Sequence, residues 1–397
     1  MALCQSLEAL ISMRYPETKL PKVTTTIFTE MSQLAADHNA INLSQGYPDF
    51  EGPKALLDRV TYYLNSGYNQ YAPMAGVPAL RKVIADKIAR LYDRHVNVDT
   101  EVTITSGATE ALFAAIAAVV TAGDEVIVFD PAYDSYEPAI EMNGGRAVHL
   151  PLNAPHFSID WSAVRQAITT RTRMIILNSP HNPTGAVLSS DDLDQLTELV
   201  TGTDLILLSD EVYEHICFDG AQHQSLLRRP ELAVRSFVVS SFGKSLHTTG
   251  WKVGYCVAPP PLSCEFRKVH QYLTFCTVHP IQLALADFLN GCPEFCLELP
   301  LFYQQKRDYF CELMTSSQFT LKPSSGTYFQ LLDYSALGQH QNKTDVEFSR
   351  WLTTEAGVAA IPISVFYENS PDQKLIRMCF AKSNDTLQEA CGKLCQI

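Results

Sequence analysis

The chain has little charge, no long apolar run and no paired-cysteine motif, and each shortage excludes a class of protein. Charged residues fill only 18% of 397 positions, and 43 acidic against 30 basic side chains leave a net charge of −13. No Lys/Arg cluster interrupts that acidic field, so a nucleic-acid partner, which needs cationic contacts to phosphate, is not expected. The longest nearly unbroken apolar run is Ala111–Val120, about half of the roughly 20 residues a membrane helix requires, so no membrane partner is expected either. The 11 cysteines are scattered from Cys4 to Cys395 without a C-x-x-C spacing, and the closest pairs, Cys292/Cys296 and Cys391/Cys395, have no metal-ligand pattern around them. No metal is therefore expected. Residues 1–19 distribute Glu8, Arg14, Glu17 and Lys19 along their length and lack the order of a secretory signal. Unpaired, scattered thiols without such a signal predict a reduced, cytoplasmic protein. Internal repeats and low-complexity tracts are absent too.

What is present is core-forming material. Hydrophobic residues make up 46% of the chain, and its length suits two or three domains. Short apolar runs alternate with helical stretches: Glu101–Thr105, Glu125–Asp130, Arg173–Asn178, Asp204–Ser209, Ser236–Ser240 and Lys252–Ala258 read as strands. Runs that are apolar throughout, separated by helices, predict a mostly parallel sheet covered on both faces. An Ala-rich helix follows the first strand from about Glu110, and Ser189 caps a later one. After Gly291-Cys292-Pro293 the pattern changes. Phe319–Lys322, Thr327–Asp333 and Lys374–Ala381 read as strands, Thr344 to Glu347 as a capping box, and a last helix starts near Asn384. The expectation is an α/β protein with a large domain over 46–290, a smaller α+β domain over 291–397, and a segment 1–45 that packs on the small domain.

Four polar clusters each begin where a predicted buried strand ends. Ser106 to Thr109, Asn178 to Gly185, Asp210 to Tyr213 and Ser241 to Lys244 occupy these positions. In open α/β sheets ligands bind outside the carboxyl ends of strands, so the clusters should converge on one crevice. Lys244 lies in a small-residue loop flanked by apolar residues, which would desolvate its amine and make it a competent nucleophile. Gly243-Lys244-Ser245 imitates the end of a phosphate loop, but that motif needs glycine at 238, where Val238 stands. A G-x-G-x-x-G fingerprint is missing as well. Gly107, Ala108 and Thr109 open a helix directly after a strand, a good site for a phosphate dianion or an ordinary cap. Asp210 ends an apolar strand and needs a cation or hydrogen-bond donors. Asn182 sits in a turn-forming loop, and Tyr133 near the crevice suits core packing or stacking. A phosphate cradle, a stacking aromatic, a strand-end acid, amide and phenol donors and a desolvated lysine together match the needs of pyridoxal 5'-phosphate.

The sequence resembles the class I/II aminotransferases of pyridoxal-phosphate fold type I, a three-layer fold, along nearly its full length. The matching stretches are Asn42–Phe50, Asn69–Ala72, Thr105–Leu112, Asp130–Pro138, His181–Gly185, Ser209–Glu214, Ser240–Tyr255 and Leu375–Lys382. Within that family it looks most like the bacterial methionine aminotransferases of the kynurenine aminotransferase and glutamine transaminase group. The resemblance implies that Lys244 holds the cofactor's aldehyde and shuttles the α-proton, and that Asp210 pairs with the ring nitrogen. Asn182 and Tyr213 would bond the phenolic oxygen, and Tyr133 would stack on the ring. Gly107, Ala108, Thr109, Ser241 and Lys252 would hold the phosphate. Arg377 would bind the substrate α-carboxylate by a bidentate fork, beside Gly46, Tyr47 and Asn182. It further implies a homodimer with shared active sites, in which Tyr71 reaches the neighbour's phosphate and Phe275 lines the neighbour's pocket.

The expected reaction moves an amino group from an amino acid to a 2-oxo acid. A β-lyase acting on cysteine conjugates would use the same lysine. A pyridoxal-phosphate-binding regulator would need an added DNA-binding domain, and the 40 or so residues before the first motif contain no basic helix. The stretches expected to line the side-chain pocket are Tyr47, Tyr71, Phe275 and Ile361 to Tyr367, which are apolar or aromatic. They favour methionine, glutamine and aromatic donors, including kynurenine, over aspartate.

Overall fold

Strands that are apolar on both faces must be covered on both faces, and this requirement organises most of the chain. The structure is a computed structural model and describes residues 16–397; the first fifteen residues of the segment 1–45 lie outside the described residues. In chain order the first strands are β1 (Ile41–Asn42), β2 (Val102–Thr105), β3 (Glu125–Asp130), β4 (Arg146–Pro151), β5 (Thr172–Asn178), β6 (Ile206–Asp210), β7 (Ser236–Ser241) and β8 (Gly254–Val257). Seven of them form one sheet in the order β2-β8-β7-β6-β5-β3-β4. All run the same way except β8, which is antiparallel to both β2 and β7. The sheet is thus mixed and mostly parallel, as the apolar runs predict, with one reversed strand that periodicity cannot reveal. Strand β4 was not expected from the pattern. It lies at the sheet edge and is only half buried, so it lacks the unbroken apolar run that marks the interior strands.

Alternate residues of the sheet face two separate cores, as the two-residue period of a strand demands. Ile104, Ile127, Ile175 and Leu207 pack with the helices Pro78–Tyr92 and His279–Gly291. Val126, Val128, Met174, Ile176 and Leu208 face the other way, against the Ala-rich helix Gly107–Val119 and the helix Pro260–Leu273. Helix, sheet and helix make three layers.

The C-terminal part carries β9 (Phe329–Asp333), β10 (Val358–Ala359), β11 (Ile361–Pro362) and β12 (Leu375–Cys379). Three of these form an antiparallel sheet in the order β11-β12-β9, while β10 pairs in parallel with β1. The segment Phe319–Lys322, expected as a strand, makes only one bridge, from Thr320 to Asp333. Pro323 follows it and offers no N–H to a ladder, so pairing stops there. A third core lies among these elements, with Tyr334 stacked on Phe348 at 4.1 Å between ring centroids.

Both expected helix starts are present. Ser189 accepts from the Asp192 N–H and opens Ser190–Val200, and Thr344 accepts from the Glu347 N–H and opens Asp345–Thr354, each in a reciprocal capping box. Replacing Thr344 by Ala leaves a helix-end donor without its acceptor and should cost about 1 kcal/mol. Faster hydrogen exchange of the amides in 345–354, with catalysis unchanged, is the expected result.

Candidate active site

Parallel strands deliver their carboxyl ends to one edge of the sheet, and the polar clusters meet there. Asn178 at the end of β5 stands in register with Asp210 at the end of β6, and β7 ends alongside at Ser241. A cavity of about 270 Å³ opens at this edge. Gly107, Ala108 and Thr109 line one end of it together with Ser241 and Lys252. Gly107 has φ 77, which favours glycine, and a side chain there would begin 3.1 Å from Lys252 Cε and 3.3 Å from its Nζ. Tyr133, Asn182, Asp210, Tyr213, Lys244, Gly46 and Tyr47 line the rest of it. Asp210 is the one acid among the lining residues, so the glycine-threonine end holds no carboxylate that would repel an anion.

Lys244 lies in the first turn after β7. Its Nζ donates to the Gly46 carbonyl at 3.0 Å and stands 5.6 Å from the ring centroids of both Tyr213 and Tyr328. Burial pulls its pKa down to about 8, and the nearby cations Arg377 and Lys252 act in the same direction. Burial pushes the Asp210 carboxyl up to about 6, against the Tyr136 hydroxyl and the Val212 N–H. Those two groups donate to it at 2.7 and 3.3 Å. Burial also raises the phenols of Tyr213 and, to about 12, Tyr133, so both are neutral hydrogen-bonding groups at physiological pH.

Arg377, in β12, borders the cavity from behind Asn182. Its Nη1 donates to Asn182 Oδ1 at 2.7 Å and its Nη2 to the Ser44 carbonyl at 2.8 Å. The guanidinium lies 3.9 Å from the centroid of Phe329. Burial lowers its pKa, and its Nε is buried with no partner. A guanidinium has five N–H donors, so this one keeps capacity for a planar anion such as a carboxylate.

Two expected residues lie elsewhere. Tyr71 and Phe275 pack edge to face at 5.2 Å between centroids, and Tyr71 is 81% exposed; neither lines the cavity of its own chain. The stretch Ile361 to Tyr367, expected to line the side-chain pocket, is also not there. Ile361, Ile363, Phe366 and Tyr367 form a small core with Met31 and Phe28 beneath the helix Ile27–Asp37. Their apolar surface is used up by that helix, which the sequence pattern did not connect to them.

Two tyrosines matter that the sequence reading passed over. Tyr136 donates to Asp210, and Tyr328 donates to the Gly46 carbonyl at 2.6 Å. Tyr136 follows Tyr133 by three residues at a helix start, a spacing that places both on one side. Tyr328 has no comparable signal. Its neighbour Phe329 also explains Gly46, where an added Cβ would lie 2.7 Å from the Phe329 ring. Among the described residues no group of three or more His, Cys, Asp or Glu side chains is placed to hold a metal ion. No helix among them is long and apolar enough to cross a membrane.

Comparison with known proteins adds an independent finding. The family described as "Aminotransferase class I and II" matches residues 38–394. The methionine aminotransferase of Escherichia coli strain K12 is 53% identical over 382 residues, covering 96% of this chain and 98% of that protein. The crystal structure of YbdL from Escherichia coli, assigned a methionine aminotransferase function, superimposes with a TM-score of 0.94 at 52% identity, covering 97% of this chain and all of that one. A kynurenine–oxoglutarate transaminase from Dictyostelium discoideum is 33% identical over 418 residues, with 96% of each chain covered.

The lowered pKa of Lys244 has a measurable consequence. Burial penalises the ammonium, so the amine loses its proton near pH 8, about two units before an exposed lysine. Below that pH it is cationic and unreactive; above it the neutral amine attacks carbonyl carbon. In protein freed of small molecules, reductive alkylation at Lys244 should therefore rise through about pH 8, while exposed lysines lag. Peptide mass spectrometry against pH would read this, and a midpoint above 10 would contradict the buried environment.

Proposed function

Because this chain belongs to the class I and II aminotransferases, which use pyridoxal 5'-phosphate, we propose that it transfers the amino group of methionine, glutamine or an aromatic amino acid, kynurenine included, to a 2-oxo acid. The observation that carries the reading is the convergence of Lys244, Asp210, Asn182, Tyr213 and a helix start at Gly107 on one cavity, in a chain so close to a methionine aminotransferase. The residues present fit the cofactor. The carboxylate-free end formed by Gly107, Ala108, Thr109, Ser241 and Lys252 suits a phosphate dianion, since helix N–H groups, hydroxyls and an ammonium all face an anion favourably. The bound cofactor supplies an electron-withdrawing ring that acidifies the α-C–H bond of an amino acid.

Each side chain then has a definite task. Lys244 would hold the cofactor's aldehyde carbon and, once free, would accept the proton from the substrate Cα. Asp210 is an anion at neutral pH and favours a proton on the ring nitrogen. Asn182, its Oδ1 already occupied by Arg377, would offer its amide N–H to the ring's phenolic oxygen, and Tyr213 its hydroxyl. Tyr133 would pack on the ring. Arg377 takes the substrate α-carboxylate on the N–H donors left after Asn182 and Ser44, with Gly46 and Tyr47 beside it.

The donor preference follows from charge. The lining cations are Lys244 and Lys252; the cofactor and the proton transfer would engage these two, and the α-carboxylate would engage Arg377. A second, distal carboxylate would be desolvated without a partner, whereas a thioether or aromatic ring gains from burial and from contact with tyrosine. We further place the enzyme in the cytoplasm, where the free thiols of its described cysteines remain reduced. We take it to act as a homodimer, with the exposed Tyr71–Phe275 pair reaching the second copy's site. The chain divides into a large unit over 46–290 and a small one over 291–397, with 1–45 joined to the small one. A core made mostly of the C-terminal elements, joined by Leu43 from the first segment and by Tyr213, Ile216 and Phe218 from the large unit, and the β1–β10 pairing support that division.

Steady-state assays with one common acceptor test the reading. kcat/KM should be highest for methionine and the aromatic donors, with aspartate lower by roughly a hundredfold, the equivalent of about 2–3 kcal/mol. Lys244→Ala should abolish turnover with every donor. Aspartate as the best substrate would overturn the pocket assignment. Asp210→Asn should still bind pyridoxal phosphate and lose about three orders of magnitude in kcat. Retention of more than about a tenth, on the order of 1.4 kcal/mol, would put the ring-nitrogen contact elsewhere.

A further inference from the structure

A buried histidine outside the cavity links the turn that opens the cavity's helix start to the loop that carries Tyr71. His270 lies on the helix Pro260–Leu273 with none of its surface exposed. Its Nε2 is 3.0 Å from the Met74 carbonyl oxygen and its Nδ1 is 3.0 Å from Glu110 Oε1. A carbonyl only accepts, so Nε2 carries a proton and donates to it. One further proton lies between Nδ1 and Glu110, with Thr274 Oγ1 alongside at 3.2 Å. The other carboxyl oxygen, Glu110 Oε2, accepts from the Ser106 backbone N–H at 3.0 Å. Ser106 directly precedes Gly107, whose positive φ turns the chain into the helix start at the cavity.

A continuous hydrogen-bonded line thus runs from Met74 through His270 and Glu110 to Ser106. Its first end is the loop that carries Tyr71, pinned again by the Ile104 N–H on the Ala75 carbonyl at 3.0 Å. A core histidine that served only to fill space would have partners facing nowhere in particular. Here one partner is a loop carbonyl and the other a carboxyl whose second oxygen holds the cradle backbone. We propose that His270 is a positioning residue. Through Glu110 it fixes the backbone of Ser106 to Thr109 against the cofactor phosphate, and through Met74 it fixes the loop that carries Tyr71. The inference rests on the reading of Gly107 to Thr109 as a phosphate site.

Two conservative variants separate the links. Gln at 270 places an amide N–H near the position of Nε2 and keeps the Met74 bond while releasing Glu110. Asn places one near Nδ1 and does the reverse. His270→Gln should weaken pyridoxal phosphate binding to the cofactor-free enzyme about tenfold, the order of one charged hydrogen bond. Binding of pyridoxal, which lacks the phosphate, and hydrogen exchange over 68–77 should not change. His270→Asn should raise exchange over 68–77 and keep the phosphate-dependent affinity within about twofold. Glu110→Ala removes both carboxyl oxygens, breaks the same link from the other side and should behave as His270→Gln does, so it carries the test if that variant fails to fold. Lower thermal midpoints with unchanged affinity in His270→Gln and Glu110→Ala would reduce His270 to a packing role and overturn the proposal. An equal loss for pyridoxal and its phosphate would do the same. If the unmodified enzyme binds both cofactors equally weakly, the phosphate-site reading itself falls.

Discussion

Keeping an amine, a carboxyl and a guanidinium together inside the protein is the constraint around which the rest is arranged. Burial drives Lys244 down and Asp210 up, each toward its uncharged form, and it disfavours the charge of Arg377 as well. An interior charge without compensation costs several kcal/mol. The fold supplies the compensation from distant parts of the chain. The Gly46 carbonyl receives Lys244, the Ser44 carbonyl and Asn182 receive Arg377, and Tyr136 donates to Asp210. Gly46 is 198 residues from Lys244, and Ser44 is 333 from Arg377. The site is therefore complete only when the N-terminal segment, the large sheet and the C-terminal sheet are all in place.

A second polar layer lies behind the first. Asp210, Glu211 and Glu214 occur within five residues, and all three are buried, yet each has its own partners. Glu211 faces His223 at 2.9 Å and receives the Ser209 hydroxyl and the Leu226 N–H. Against the upward push of burial, Lys87, helped by the Ser240 hydroxyl, holds Glu214 well below the usual carboxylate range. Lys87 lies 2.6 Å away, with Tyr92, Tyr255 and Ser240 as further donors. These partners segregate three like charges that would otherwise repel one another in a medium of low polarity. Asp210 alone points into the cavity, without a cation in hydrogen-bond reach, which suits it to a positively charged ring nitrogen. Tyr213, between the two glutamates, is held by aromatic contacts with Tyr328 and Phe329.

The cavity draws on two parts of the chain. The end with Gly107 and Asp210 is built by the strand ends of the large sheet, which two buried cores cover. Gly46, Tyr47 and Arg377 belong to segments resting on or within the C-terminal sheet.

The sequence by itself determined which residues could do chemistry and the layer they would occupy. Apolar runs such as Glu125–Asp130 and Arg173–Asn178 mark interior strands, because a backbone buried on both faces must carry apolar side chains on both. Polar clusters directly after such runs fall at strand ends in any parallel sheet, which is why Lys244, Asp210, Asn182 and Thr109 were legible without coordinates. Local capping chemistry made the helix starts at Ser189 and Thr344 equally plain. Tertiary structure alone decided the reversal of β8, the half-exposed edge strand β4 and the single bridge at Thr320, since each depends on what lies alongside rather than on its own residues. It also decided that Ile361 to Tyr367 serves a small core under Ile27–Asp37 rather than the cavity. The same holds for Tyr136, Tyr328 and the His270–Glu110 link: a hydrogen bond between residues 160 apart has no periodicity to announce it, only a partner that folding brings within reach.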